Sequence, residues 1–397
     1  MAMHNTIMSR LAAGLPVLIA EAGVNYYDIA AKLGISLLDA AKLMIAEAQK
    51  SGVHAIKFQS YKANELAAKT SPSYWDLSEN PVTSQRELFS HFDLFGEKEY
   101  TELAQYALDI GIEFLSTAFD EQSADYLYPL MNVYKISSSD LSNIPFIEYQ
   151  AKKGKPCLLS IGAADEREID FAVSAIRRFN NQPLVLLHCV LEYPTPLADA
   201  NLRKIATLKT KYPDCYIGYS DHTKPTEDCD VIKCAYALGA QVVEKHYTLD
   251  KTLKGNDHFH GMDPEDAKRI LSALDRVEML CGNGELKCLE NEKISRLNAR
   301  RSLVSRTRIA KGAVVTREML ASKRPGTGIS PVEIDKIIGR TAACDIDEDV
   351  TLDSTNYFMQ FFPSAELVVI KDGEHGFFDE QLEQAEKASI RFMKDRL

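Results

Sequence analysis

VVEKHYTLDK, residues 242–251, opens like a buried strand and ends in reactive groups. Val242 and Val243 are β-branched and apolar and follow Gly239 and Ala240. Glu244, Lys245 and His246 then arrive together. Strand side chains alternate between faces, so Glu244 and His246 share one. An acid and an imidazole ending a core strand call for a fold that gathers strand ends around a cavity.

Seven earlier runs have the same character: VLIAEAG (17–23), AIKFQ (55–59), IEFLSTAF (112–119), VYKISS (133–138), PCLLSIG (156–162), LVLLHCV (184–190) and YIGYSD (216–221). Each is short, β-rich and largely apolar, as a parallel strand covered on both faces should be. Helical patterns lie between most of them. LLDAAKLMIAEAQKSG (37–52) spaces its apolar side chains helically and stops at Gly52, and KEYTELAQYALDIG (98–111) and ADYLYPLM (124–131) behave similarly. Strand and helix alternating eight times through residue 282 predict an α/β fold, a (β/α)8 TIM barrel. An open doubly wound sheet is the alternative, weakened because no GxGxxG follows the first strand.

Barrel enzymes carry their chemistry at the C-terminal strand ends. Here those ends offer Glu21, Lys57 with Gln59, Ser116 with Thr117, Lys135 with Ser138, Ser160, His188, Ser220 with Asp221 and His222, and Glu244 with His246. Lysines, hydroxyls and a glutamine suit an anion such as a phosphate ester. Imidazoles from adjacent strands, His222 and His246, suit one divalent metal that polarises a carbonyl. Glu21, Glu244 and Asp257 suit proton steering or sugar hydroxyls. Plainer readings stand beside these. Lys57 and Lys135 can close the barrel as ion pairs, and Ser160 and Thr117 can cap helices. His222 and His246 can be hydrogen-bonded supports. His188, between Leu187 and Cys189, reads as a hydrogen-bonded core histidine. His258 and His260 in GNDHFHGMD read as exposed loop residues or as substrate contacts.

The formal net charge of −11 argues against general binding to nucleic acid or acidic membranes. It leaves room for a small anionic substrate, because screening over about 8 Å lets local cations dominate. Eight cysteines without a CxxC pair show neither a zinc knuckle nor a redox motif. With no apolar stretch of membrane length and no signal-peptide pattern, a cytoplasmic protein is expected.

IAEAGVN (19–25), AIKFQ (55–59), FLSTAFD (114–120), YKISSSD (134–140), LLHCVLEYPTP (186–196), IGYSDHT (217–223), EKHYTLDK (244–251) and KRPGTGIS (323–330) together resemble the sialic acid synthase family, which includes synthases of legionaminic and pseudaminic acids. The resemblance implies condensation of phosphoenolpyruvate with an N-acetylated hexosamine aldehyde of the N-acetylmannosamine type, releasing phosphate. It implies that His222 and His246 hold the metal, manganese or magnesium, and that Lys57, Gln59, Thr117, Lys135, Ser138, Ser160 and Ser220 bind phosphoenolpyruvate. Glu21, Tyr193 and Asp257 would meet the amino sugar, and Glu244 would sit beside both reactants.

RRSLVSRTRIAKGAVVTREMLASKRPGTGIS (300–330) resembles the family's small β-rich domain, similar to type III antifreeze proteins. The resemblance implies a swapped homodimer in which Arg324 reaches the partner's barrel and holds the acetamido carbonyl. The expected organisation is a barrel over 1–282, a linker over 283–298, the antifreeze-like domain over 299–357 and an extension over 358–397. Its residues 362–397 resemble the final strand, turn and helix of an α/β-hydrolase, with His375 in the histidine's place. No GxSxG exists to complete such a site, so a packed appendage is expected.

Four departures bear on the acceptor. Ala118 replaces a usual proline, Asn256 replaces another in GNDH, Asn25-Tyr26-Tyr27 replaces an Asn-His pair, and Asp140 stands where relatives often carry Glu. The long stretch 70–93, with the chain's one tryptophan, Trp75, reads as a substrate-selecting loop or a helical insertion. Two other functions compete: a metal-dependent barrel hydrolase, which lacks a clustered third carboxylate ligand, and a non-catalytic sugar-binding protein.

Overall fold

The computed structural model describes residues 5–352 except 76, 78–80, 256 and 343. The expected extension and His375 lie outside the described residues. The chain divides into two units, residues 1–283 and 284–397.

The first unit is the expected barrel. Its eight strands are β1 (Val17–Gly23), β2 (Ala55–Ser60), β3 (Glu113–Ala118), β4 (Tyr134–Ile136), β5 (Cys157–Ser160), β6 (Leu184–His188), β7 (Tyr216–Asp221) and β8 (Val242–His246). They close in sequence order, all parallel, with β1 pairing β8. Nearly every strand residue is buried, because side chains on one face fill the barrel and those on the other meet the helices. The helix Leu37–Lys50 shows how the sequence builds that outer layer. Ser36 caps it by accepting from the Asp39 N–H, and Ala40, Ala41, Met44, Ile45 and Ala48 form its buried stripe. At the opposite end of the barrel from the strand tips, the short helix Thr6–Ala12 buries Ile7 and Leu11. The Ile7 N–H donates to Glu113 at the start of β3 over 2.7 Å.

Register matters more than strand count for the site. Across neighbouring strands Glu21 is level with Lys57 and with His246, Gln59 with Thr117, Thr117 with Lys135, and Ser220 with Glu244. Groups far apart in sequence therefore share one layer at the strand tips.

The second unit has its own small core of Leu303, Ile309, Val315, Leu320, Ile329, Ile337 and Ala342. Its β9 (Ser302–Ser305) and β10 (Leu320–Lys323) pair antiparallel. Ser302 pins the KRPG segment, donating to Pro325 O and accepting from Gly328 N. A helix, Lys293–Ala299, occupies the end of the stretch expected as linker and runs one residue past it, and Leu297 O accepts from Gly326 N. Among the described residues, no helix is long and apolar enough to cross a membrane.

Candidate active site

A cavity of about 670 Å³ opens at the C-terminal strand tips. Glu21, Lys57, Gln59, Thr117, Lys135, Ser138, Ser160, Tyr193, Ser220, His222, Glu244, His246 and Asp257 all line it. With Arg324, which is exposed in the second unit, these are the residues to which the family resemblance assigns roles.

Its floor alternates in charge. Lys57 Nζ lies 2.5 Å from Glu21 and 3.7 Å from Glu244, and Lys135 Nζ lies 3.7 Å from Glu244. Gln59 donates to Glu21, Lys57 to Thr117, and Ser220 to Glu244, each near 3 Å. All four charges are buried. Burial pushes the Glu21 carboxyl up to about 7, against the pull of Lys57. Burial also works against the Glu244 carboxylate, but Lys135 and Lys57 outweigh it and hold that group below its usual range. Burial lowers Lys135 despite Glu244. Two lysines alternating with two carboxylates, all four buried, can exchange ion pairs with an incoming anion. Beside them the Ser160 hydroxyl is buried and unpaired among the described residues. Ser138 is held against Cys189 and the Gly162 N–H. A side chain at Gly162 would meet Cys189 Sγ at 2.8 Å, so glycine is required for that approach.

The other pole is rich in imidazole. The rings of His222 and His246 are 5.4 Å apart, and Tyr193 packs 4.3 Å from His222. His222 Nδ1 is engaged by Val190 O at 2.6 Å, which leaves Nε2 for the cavity. Such a bond fixes tautomer and ring orientation, as in metal-ligating histidines. Burial holds both rings neutral, the form that binds metal. His246 Nδ1 has no hydrogen bond among the described residues and stands 3.3 Å from Asp257. The pair fits a divalent cation with coordination positions left open toward the cavity.

Not every polar strand end faces inward. Ser116 hydrogen-bonds Ser60 at 2.6 Å and does not line the cavity. Asp221 and Lys245, each about 1% exposed, pair at 2.6 Å on the helix-facing side. His188 is a core histidine, its Nε2 2.8 Å from Ala200 O. His258 and His260, read as loop residues, are both wholly buried instead. His258 is clamped between Thr248 and Asp28. His260 was not read as part of the metal pole; it shares with His246 and Asp257 a cluster whose ligand atoms lie within 4.8 Å of one another. Only its H-x-H spacing from His258 hinted at this.

In its described residues, the stretch 70–93 includes both a helix and a cavity wall. It carries the helix Gln85–His91, and Tyr74, Trp75, Leu88, Phe89 and Phe92 line the cavity. Tyr27 packs edge-on against Phe92, and Tyr26 stacks on Phe95, so the altered Asn25-Tyr26-Tyr27 segment supports this wall from behind. Asp140 lines the cavity, and Ala118 stays within β3.

The NeuB family model matches residues 44–286, and the SAF domain model matches residues 300–353. The chain is 37% identical over 342 residues to the N,N'-diacetyllegionaminic acid synthase of Legionella pneumophila, covering 84% of this chain and 92% of that protein. It is 31% identical to the human N-acetylneuraminate-9-phosphate synthase, over 84% of this chain and 90% of that protein. Among solved structures, the N-acetylneuraminic acid synthetase of Leptospira borgpetersenii superposes with a TM-score of 0.62 at 34% identity, covering 71% of this chain and 90% of that one.

Proposed function

The chain belongs to the NeuB family, a family of acid synthases, and we propose that it condenses phosphoenolpyruvate with an N-acetylated hexosamine aldehyde to form a nine-carbon nonulosonic acid and phosphate. The observation that carries this reading is the juxtaposition of two poles in one cavity. Lys57 and Lys135 form an anion floor, and His222 and His246 stand beside it.

Phosphoenolpyruvate takes its place over Lys57 and Lys135, oriented by Gln59, Thr117, Ser138, Ser160 and Ser220. The acceptor lies toward Tyr193, Asp257 and the imidazoles. The enol C3 attacks the aldehyde carbon, a C–C bond forms, and the aldehyde oxygen takes a proton. Water adds at C2 and gives up a proton, so the two transfers balance. The tetrahedral intermediate then collapses: its C2–O bond to phosphate breaks, the ketone forms, and the hydroxyl proton leaves with phosphate. Glu21 and Glu244, linked through Lys57, are the carboxylates placed to pass protons between these atoms. A manganese or magnesium ion held by His222 and His246 supplies Lewis-acid polarisation of the aldehyde when bound.

The lining also bears on the acceptor. Among its described residues Lys57 and Lys135 are the only lysines or arginines, and both belong to the floor. The outer wall is apolar and aromatic, with Trp75, Phe89, Phe92 and Leu191. That wall favours an acceptor uncharged at its far end, such as N-acetylmannosamine or a 6-deoxy diacetamido sugar, over a 6-phosphate. The proposal includes a swapped homodimer in which the Arg324 guanidinium of a second chain holds the acetamido carbonyl.

The test is phosphate release in the presence of phosphoenolpyruvate, divalent metal and each acceptor in turn, with product masses measured. Release that needs both reactants, together with a product mass equal to acceptor plus pyruvic acid (phosphoenolpyruvate plus water less phosphoric acid), is expected. Release from phosphoenolpyruvate alone, or none with any hexosamine, refutes the reading.

A further inference from the structure

We propose that His260 is a third imidazole of the metal pole, joining His246 and Asp257 around the divalent cation; this rests on the metal-assisted condensation proposed above. His260 is 0% exposed, and neither ring nitrogen has a hydrogen-bond partner among the described residues. A buried polar group in that state needs a partner that the protein itself does not provide. Its surroundings identify one. His260 Nε2 stands 3.4 Å from Asp257 Oδ1, His246 Nδ1 stands 3.3 Å from Asp257 Oδ2, and the two rings are 5.1 Å apart. Adjacent donors around an ion with ~2.1 Å bonds are about 3 Å apart. Each nitrogen thus stands from the carboxylate at nearly the spacing of neighbouring ligands.

The loop after β8 is built to bring these groups together. Met262 N–H donates to His246 O, and Thr248 N–H donates to Met262 O, so the chain returns alongside the strand end. Gly261 is needed there, because a side chain would meet Asp257 O at 2.7 Å. Of the two histidines the loop carries, His258 is occupied by Thr248 and Asp28, and His260 is left for the cluster. His246 and Asp257 line the cavity and His260 does not. A cation held by the three is therefore backed by protein on the His260 side and open toward substrate on the other.

The donor set predicts a preference. Imidazole donors favour transition metals, whereas Mg²⁺ favours oxygen. With His260 in the set, the site discriminates against Mg²⁺ more strongly than His222 and His246 alone would allow.

The experiment is metal titration of the full chain without substrates. Isothermal calorimetry with Mn²⁺, Co²⁺ and Mg²⁺ is paired with the visible spectrum of the Co²⁺ form. His260→Ala and His260→Gln are compared with wild type, and circular dichroism confirms folding. Both variants are expected to bind Mn²⁺ and Co²⁺ ~10–100-fold more weakly. Mg²⁺ binding should change much less, so selectivity narrows, and the Co²⁺ bands should shift as a nitrogen donor is lost. Unchanged affinities and an unchanged spectrum in a folded His260→Gln variant overturn the assignment while leaving the metal reading intact. Weakened affinity with unaltered Co²⁺ bands also overturns it, because His260 would then act only by positioning Asp257. No uptake of any cation by wild type, in this titration or in its repeat with phosphoenolpyruvate added, defeats the metal reading itself.

Discussion

Lys245→Met tests whether the helix-facing charge pair holds β7 and β8 together. Lys245 Nζ reaches Asp221 Oδ2 at 2.6 Å and Thr223 O at 2.5 Å, and Asp221 Oδ1 accepts from the Thr223 N–H at 2.9 Å. Both side chains are about 1% exposed. Removing the lysine leaves a buried carboxylate stripped of its cation, facing only the Thr223 N–H and the Tyr219 hydroxyl among the described residues. Breaking a buried pair in this way costs about 3–5 kcal/mol. Replacing both partners with apolar side chains removes the stranded charge together with the pair. The double variant Lys245→Met/Asp221→Leu should therefore recover most of the loss, to within ~1 kcal/mol of wild type. Urea unfolding, followed through Trp75 in the barrel unit and by circular dichroism, measures all members of the cycle. A cost for Lys245→Met below ~1 kcal/mol, or a double variant worse than the two single variants combined, would refute the claim.

His222→Ala and His246→Ala should each lower turnover at least ~100-fold, the scale of losing a key electrostatic group; unchanged turnover in both removes the metal pole. Lys57→Met should raise the Michaelis constant for phosphoenolpyruvate far more than that for the acceptor, and an unaltered constant counts against the anion floor. Glu113 tests a pH effect away from the site, since burial pushes its carboxyl up to about 7 against the Ile7 and Thr6 N–H groups. An acid with a raised folded-state value binds its proton more tightly when folded. Its contribution is therefore full at low pH and fades as pH rises through about 7. Relative to Glu113→Gln, wild type should lose up to ~3 kcal/mol of stability between pH 4.5 and 8, and a gap constant with pH would contradict this.

The barrel was legible because its signals are redundant. Eight apolar runs, helical stripes such as Ala41–Met44–Ile45–Ala48 and polar groups at the strand tips all point to one closed ring. The inward set was legible for the same reason: Lys57 with Gln59, Ser220 with His222, and Glu244 with His246 each fall two residues apart. Facing direction was harder to read for isolated polar residues. In a strand buried on both sides, apolar residues occupy both faces, and hydropathy gives no alternation. Ser116 and Asp221 consequently looked like site groups, although their neighbours Thr117, Ser220 and His222 occupy the cavity. His260 escaped for another reason. Its burial depends on the loop returning against β8 through Met262, a long-range pairing with no local signature.

The opening stretch also shows why the outward pair belongs with the chemistry. Glu244 and His246 face the cavity, whereas Lys245 between them faces the helices and meets Asp221, its register partner on β7. Slipping a strand by one residue sends every side chain to the opposite face. Such a slip in β8 would carry Glu244 and His246 away from Lys57, Lys135 and His222. It would also drive Lys245 into a floor that already holds two lysines, and strand Asp221 without a cation. The penalty for misregister is therefore paid on both faces of one short strand. An ion pair that never touches substrate thus favours the one register in which Glu244 meets the lysines and His246 meets His222.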